Sequence, residues 1–379
     1  MKRPIGLVIF ALILFNQIAP AYTQRGASSI RSTKTDWDIQ PSFMLDTVCF
    51  LNVLTGDPFY LDYYKDEYAK FKPQITPSVE KALANLKKKI KDEQGGIISA
   101  FLALDFSVTN DKTLDDMLRT VRDSSRMKAA FQKTVYYNDD DWKLYESVRG
   151  DLTEIFTFLR AIHFEQYWKQ YALPKINKSI SEIRPDLPKY NVVGEVQKLL
   201  GFPLQTNKIT VNILYFSQPH GIRVTGLRFL TDASYPFEIV LRNAVHEPMH
   251  PPFDLKKDTE LRVALYRLQK DEFLMDKINN HDKSFGYNSF EGFVEEDCVQ
   301  ALEQIISERF KIENDAHERW KENDNGMHVL AIALYSLMKA ENFNGEKENF
   351  RSFLIRNITD GELAPGSIKL LYEKFYSTA

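Results

Sequence analysis

From Ser42 to about Thr206 the apolar residues recur at helical rather than alternating spacing. Phe43, Leu45, Val48, Phe50 and Leu51 open the pattern, and a lysine-rich amphipathic run over 79–91 stops at Gly95-Gly96. The same spacing predicts helices over 114–131 and 140–171. In the second of these the aromatic stripe Phe156, Phe158, Phe164, Tyr167 and Trp168 reads as core, with His163 packed inside it. The texture changes at Lys208. Residues 208–216 (KITVNILYF) and 221–230 (GIRVTGLRFL) are β-branched and partly alternating, which predicts two strands joined by a turn over 217–220. Ser234 is placed to cap the next helix, with Pro236 in its first turn, and Val240, Leu241, Ala244 and Val245 give that helix a buried face. Pro251-Pro252 stops it. Further helices are predicted over 257–277, 289–310, 327–339 and 368–376.

No internal repeat or low-complexity linker divides the chain, so residues 41–379 read as a single mainly helical α+β domain with a small sheet. Its N-terminal part, 41–206, is all helical, and the strands and the chemistry lie in 207–379. With 44% hydrophobic and 13% aromatic residues among 379, the chain can bury a large core. Formal net charge is -3 and lysines are interspersed with glutamates, so a nucleic-acid partner is not expected. Residues 1–24 read as a signal peptide: Lys2 and Arg3, an apolar run over 5–15, then Ala19-Pro20-Ala21 as a cleavage site. A polar, flexible lead-in over 25–40 follows. No later segment reaches 18 apolar residues, so the mature chain should have no stable membrane span and be secreted or periplasmic. Cys49 and Cys298 are compatible with one disulfide or with two buried free thiols.

The chemistry centres on His246-Glu247-Pro248-Met249-His250, an H-E-x-x-H string. On a helix, residues four apart share a face, so both imidazoles can hold one metal ion with Glu247 beside the open position. A hydrolytic zinc site uses three protein ligands, and a carboxylate near the fourth position acts as general base and then acid. The third ligand must come from a separate helix. Within Phe290-Glu291-Gly292-Phe293-Val294-Glu295-Glu296-Asp297-Cys298 two placements compete, Glu291 in an E-G-F string and Glu296 in V-E-E-D-C-V-Q-A-L. Glu291 and Glu295 share a face, so one could be a ligand and the other its support, while Glu296 points about 100° from Glu295. Tyr287, His317 and His328 are candidate hydrogen-bond donors to a transition-state oxyanion.

HEPMHPPF, the segment FVEEDCVQALE some 45 residues later, Gly326-Met327-His328-Val329-Leu330 and the helical lead-in 42–106 together resemble an uncharacterised family of exported bacterial H-E-x-x-H proteins. That family is assigned to the glutamate-type zincins, or gluzincins. The resemblance covers most of the mature chain and implies a zincin-like catalytic domain, a Zn2+ cofactor and a peptide or protein substrate. Its glutamate falls on Glu296. The expectation is therefore an exported zinc metallopeptidase, with His246, His250 and Glu296 on the metal and Glu247 as base. Pro248 removes the backbone bond to the Ala244 carbonyl, at about 3 kcal/mol in a helix interior. The helix must be kinked there or end there. A zincin-fold binding protein that does not cut is the alternative this proline supports, and an exported helical scaffold with an accidental motif is the third reading.

Overall fold

In Asp36-Trp37-Asp38-Ile39-Gln40-Pro41 the apolar side chains alternate with charged and polar ones, and in the computed structural model this period of two is a strand rather than part of a flexible lead-in. The structure describes residues 9–10, 33–312 and 315–377. The predicted signal peptide thus lies outside the described residues apart from Ile9 and Phe10, as do residues 25–32. Strands are numbered β1 (Ile9–Phe10), β2 (Asp36–Pro41), β3 (Lys208–Leu214), β4 (His220–Val224) and β5 (Arg228–Asp232). Their order in the sheet is β1-β4-β5-β3-β2. β2 and β5 flank β3 in parallel, β4 runs antiparallel to β5, and Ile9 and Phe10 sit opposite His220 and Gly221.

The second predicted strand is two strands. Gly226 takes φ +76°, a conformation costly for residues with a Cβ, and the chain reverses there so that Val224 faces Arg228. Asp36–Pro41 joins the sheet through full register with β3, and Trp37 Nε1 donates to the Tyr190 carbonyl at 3.3 Å.

Around this sheet the protein is mainly helical. Phe43–Leu54 is mostly apolar and buried at every residue, its Asp46, Thr47 and Asn52 included, and it packs on the similarly buried Ile98–Phe106. Phe50 stacks on Phe164 with centroids 4.6 Å apart, so most of the aromatic stripe is core. His163 is not: it is exposed, in a left-handed conformation (φ +57°) that ends the helix Asp139–Ala161. The predicted helix 114–131 is two, Leu114–Arg122 and Ser125–Phe131, because the Asp123 carboxylate takes the Ser125 N–H and competes with helix continuation. Likewise 257–277 breaks into Thr259–Tyr266 and Glu272–Asn280, the second capped by Asp271. No helix among the described residues is long and apolar enough to cross a membrane.

Two elements meet over the sheet to build the site: the motif helix Phe237–His246 and the glutamate helix Phe290–Phe310. The glutamate helix is fastened to Val329–Ala340 by Asp297, whose Oδ2 accepts the N–H groups of Leu330 and Ala331 at 2.9 and 3.0 Å. Cys49 and Cys298 are free and buried, so the disulfide reading is set aside. Burial pushes both thiols well above their usual range.

Candidate metal centre

The motif helix starts one residue after Pro236, whose carbonyl accepts the first helical bonds; Ser234 does not cap it, because its N–H and hydroxyl both donate to Asp232, at 2.9 and 2.7 Å. Val240, Leu241, Ala244 and Val245 are fully buried, as their spacing predicts. The helix lies close against β4 because Gly221 has no side chain. A Cβ there would meet Asn243 Nδ2 at 2.9 Å.

α-Helical geometry stops at His246. Residues Glu247–Met249 form one turn of 3-10 helix and His250 is extended (φ -84°, ψ 129°). Pro248 has no N–H to offer the Ala244 carbonyl, so the backbone tightens instead of continuing the α-helical ladder. The bond His250-Pro251 is cis. Both imidazoles nevertheless converge, with Nε2 atoms 2.9 Å apart.

Glu296 completes the group. Its Oε2 lies 3.6 Å from His246 Nε2 and 3.5 Å from His250 Nε2, and ligand atoms of the three residues all fall within 4.8 Å of one another. All three side chains are buried. Glu296 Oε1 is held by Gln300 Nε2 at 2.8 Å, while Oε2 is buried without a hydrogen bond. An orphaned carboxylate oxygen facing two imidazole nitrogens fits a cation between them, and two imidazoles with one carboxylate are a donor set that zinc accepts. This buried His-His-Glu group could therefore hold a metal ion.

The opposite side of each ring meets a carboxylate. His246 Nδ1 is 3.3 Å from Glu303 Oε2, and His250 Nδ1 is 3.2 Å from Glu295 Oε1. Such partners hold the Nδ1 proton and turn Nε2 towards the shared centre. Glu303 is itself fixed by Arg319 at 2.6 Å. Burial disfavours a charged His246, yet Glu296 and Glu303 outweigh it and carry the ring to about 10. Burial raises Glu296 too, but the adjacent rings of His246 and His250 win and hold it at about 2. The cluster draws positive charge to its centre, and either protons or a metal ion can supply it.

Glu247 is buried beside this centre. Desolvation pushes its carboxyl above the usual range, opposed by His246, His250 and Arg223. Tyr287, also buried, lies against Glu296, and burial together with the charges of Glu296, Asp324 and Glu247 raises its phenol far above normal.

Three other candidates are placed elsewhere or otherwise engaged. Glu291 is on the solvent side, accepting from Tyr266 Oη at 2.9 Å. His328 has Nδ1 2.7 Å from Asp297 and Nε2 2.8 Å from Asp324, so both ring nitrogens are committed to joining two helices. His317 stacks on Phe375 with centroids 4.0 Å apart and bonds its carbonyl. Glu303 and Arg319 were not singled out from sequence. A signal existed for Glu303, which follows Glu296 by seven residues and so returns to the same helical face.

Compared with known proteins, the chain matches no family model, no curated protein and no solved structure.

Proposed function

We propose that the protein is an exported zinc-dependent metallopeptidase of the glutamate-type zincin kind. The observation that carries this reading is Glu296 Oε2, buried, without a hydrogen bond, and within 3.6 Å of both histidine Nε2 atoms. Zinc held there supplies Lewis acidity, polarising a carbonyl and acidifying water. His246, His250 and Glu296 hold the ion, and Glu303 and Glu295 keep the two rings turned towards it. Glu247 takes a proton from the attacking water and passes it to the leaving amine, a transfer for which a buried carboxyl with a raised pKa is suited. Tyr287 is the donor for the developing oxyanion, since its phenol is the one of the three candidates beside Glu296. A peptide bond is the substrate the reading names.

The test is metal content of the purified mature protein by elemental analysis, alongside a His246→Ala/His250→Ala variant. One zinc per chain, lost in the variant, supports the site and opens a substrate screen. Absence of zinc from both after incubation with the ion removes the peptidase reading and leaves an exported helical scaffold as the better account.

A further inference from the structure

Next to the His-His-Glu cluster lies a cavity of about 200 Å³, with His250, Pro248, Pro251, Phe253, Tyr136 and Arg223 in its wall. Small-molecule sites are typically about 300–1,000 Å³, so this one suits a single residue of a larger substrate. Its lining contains no carboxylate. Arg223, on β4, brings its guanidinium carbon to 5.6 Å from the Tyr136 ring centroid. Its Nε and Nη1 are buried and make no hydrogen bond. Arg319 is held by Glu303, Gln300 and Gln304, and Arg228 by the Thr225 and Ser107 carbonyls, while Arg242, whose Nε is likewise buried without a hydrogen bond, is not in the cavity wall. A buried donor left unpaired carries a desolvation cost, larger for a charged group, that a bound anion would remove. Arg223 is also close enough for its charge to act on Glu247, so the cavity and the base share one neighbourhood.

We propose that Arg223 binds a carboxylate of the substrate in this cavity, so that the site selects peptides carrying a carboxylate close to the bond held at the His246–His250–Glu296 centre. This deepens the peptidase reading and rests on it for the word substrate. The planar guanidinium fork matches a carboxylate in a two-point contact, and the Tyr136 ring face holds its plane. The carboxylate is either the peptide's own C-terminus or an Asp or Glu side chain, and the two are separable by probe.

The experiment measures binding rather than turnover, using the mature Glu247→Gln protein both zinc-loaded and chelator-treated. The probes are N-acetyl-tetra-alanine as free acid, its C-terminal amide, and amides with one Glu at each interior position, titrated by calorimetry. One carboxylate-bearing probe should bind about tenfold tighter than the neutral amide, with or without zinc. Adding Arg223→Gln should abolish that preference and leave the amide unchanged. Tighter binding of the free acid identifies the C-terminus, and tighter binding of a Glu amide identifies the side chain. If Arg223→Gln does not fold, Arg223→Lys carries the test, since it keeps the charge without the fork and should weaken the carboxylate probe alone several-fold. Equal binding of all probes, no binding of any, or a preference that survives both substitutions overturns the proposal. Zinc content of the same samples reports on the peptidase reading separately. Protein without zinc that still shows an Arg223-dependent preference loses that reading and keeps this one.

Discussion

His246 and Glu303 are tied at 3.3 Å through Nδ1 and Oε2, and Glu303 is tied in turn to Arg319. The His246 nitrogen that faces His250 and Glu296 is thus aimed by a residue on the neighbouring helix. Glu303→Gln is expected to weaken zinc binding roughly 10–100-fold, read by competition with a calibrated chelator. It should also lower stability by several kcal/mol, because Arg319 is left buried beside a neutral group. Glu295→Gln should show the affinity loss with little loss of stability, since Glu295 is partly exposed.

Glu296→Ala and Glu291→Ala separate the two glutamates that compete in the sequence. The first should abolish stoichiometric zinc. The second should leave zinc content unchanged and cost less than about 1 kcal/mol, its contact with Tyr266 being exposed.

Glu247→Gln should keep one zinc per chain and lower peptide hydrolysis by roughly 10²–10⁴-fold, the usual contribution of a positioned acid–base group. A variant that loses zinc as well would assign Glu247 to metal binding instead.

Asp46 gives a pH signature far from the motif. Its carboxylate accepts the N–H groups of Tyr215 and Phe216 and of the Trp168 indole, yet burial outweighs these bonds and raises it from 3.8 to about 7. The folded chain therefore binds more protons than the unfolded chain between about pH 4 and 7, and stability falls as pH rises through that window. Asp46→Asn has no such titration. Its deficit relative to wild type should be largest at or below about pH 4 and shrink by on the order of a few kcal/mol by pH 8, measured by urea unfolding at each pH.

Cys49 and Cys298 should resist a thiol reagent in the native protein and both react after denaturation, because the thiolate is the reactive form and burial suppresses it. Reaction of fewer than two thiols under denaturing, non-reducing conditions would point to a disulfide.

Much of this arrangement is legible in the residues because it depends on spacing. The buried face Val240, Leu241, Ala244 and Val245 follows from helical periodicity, and of the two competing glutamates Glu296 rather than Glu291 meets the histidines. What sequence leaves out depends on tertiary contact. Asp36–Pro41 is too short to stand out until β3 pairs with it, and the reversal at Gly226 hides inside a run of strand-forming residues. His328 illustrates the limit at the site: its position suggested a donor, but Asp297 and Asp324, 31 and 4 residues away, occupy it. Arg223 gave no signal at all, since a buried Nε and Nη1 without a hydrogen bond are visible only from tertiary contacts.

The 3-10 turn at Glu247–Met249 bears on how such sites are found in other chains. A search rule that forbids proline between the two histidines assumes that α-helical pitch alone can bring them together. Here the second histidine arrives by a tighter turn and an extended backbone, and the nitrogens meet all the same. Screens built on that rule would discard this chain and any built like it, although its two histidine nitrogens lie side by side.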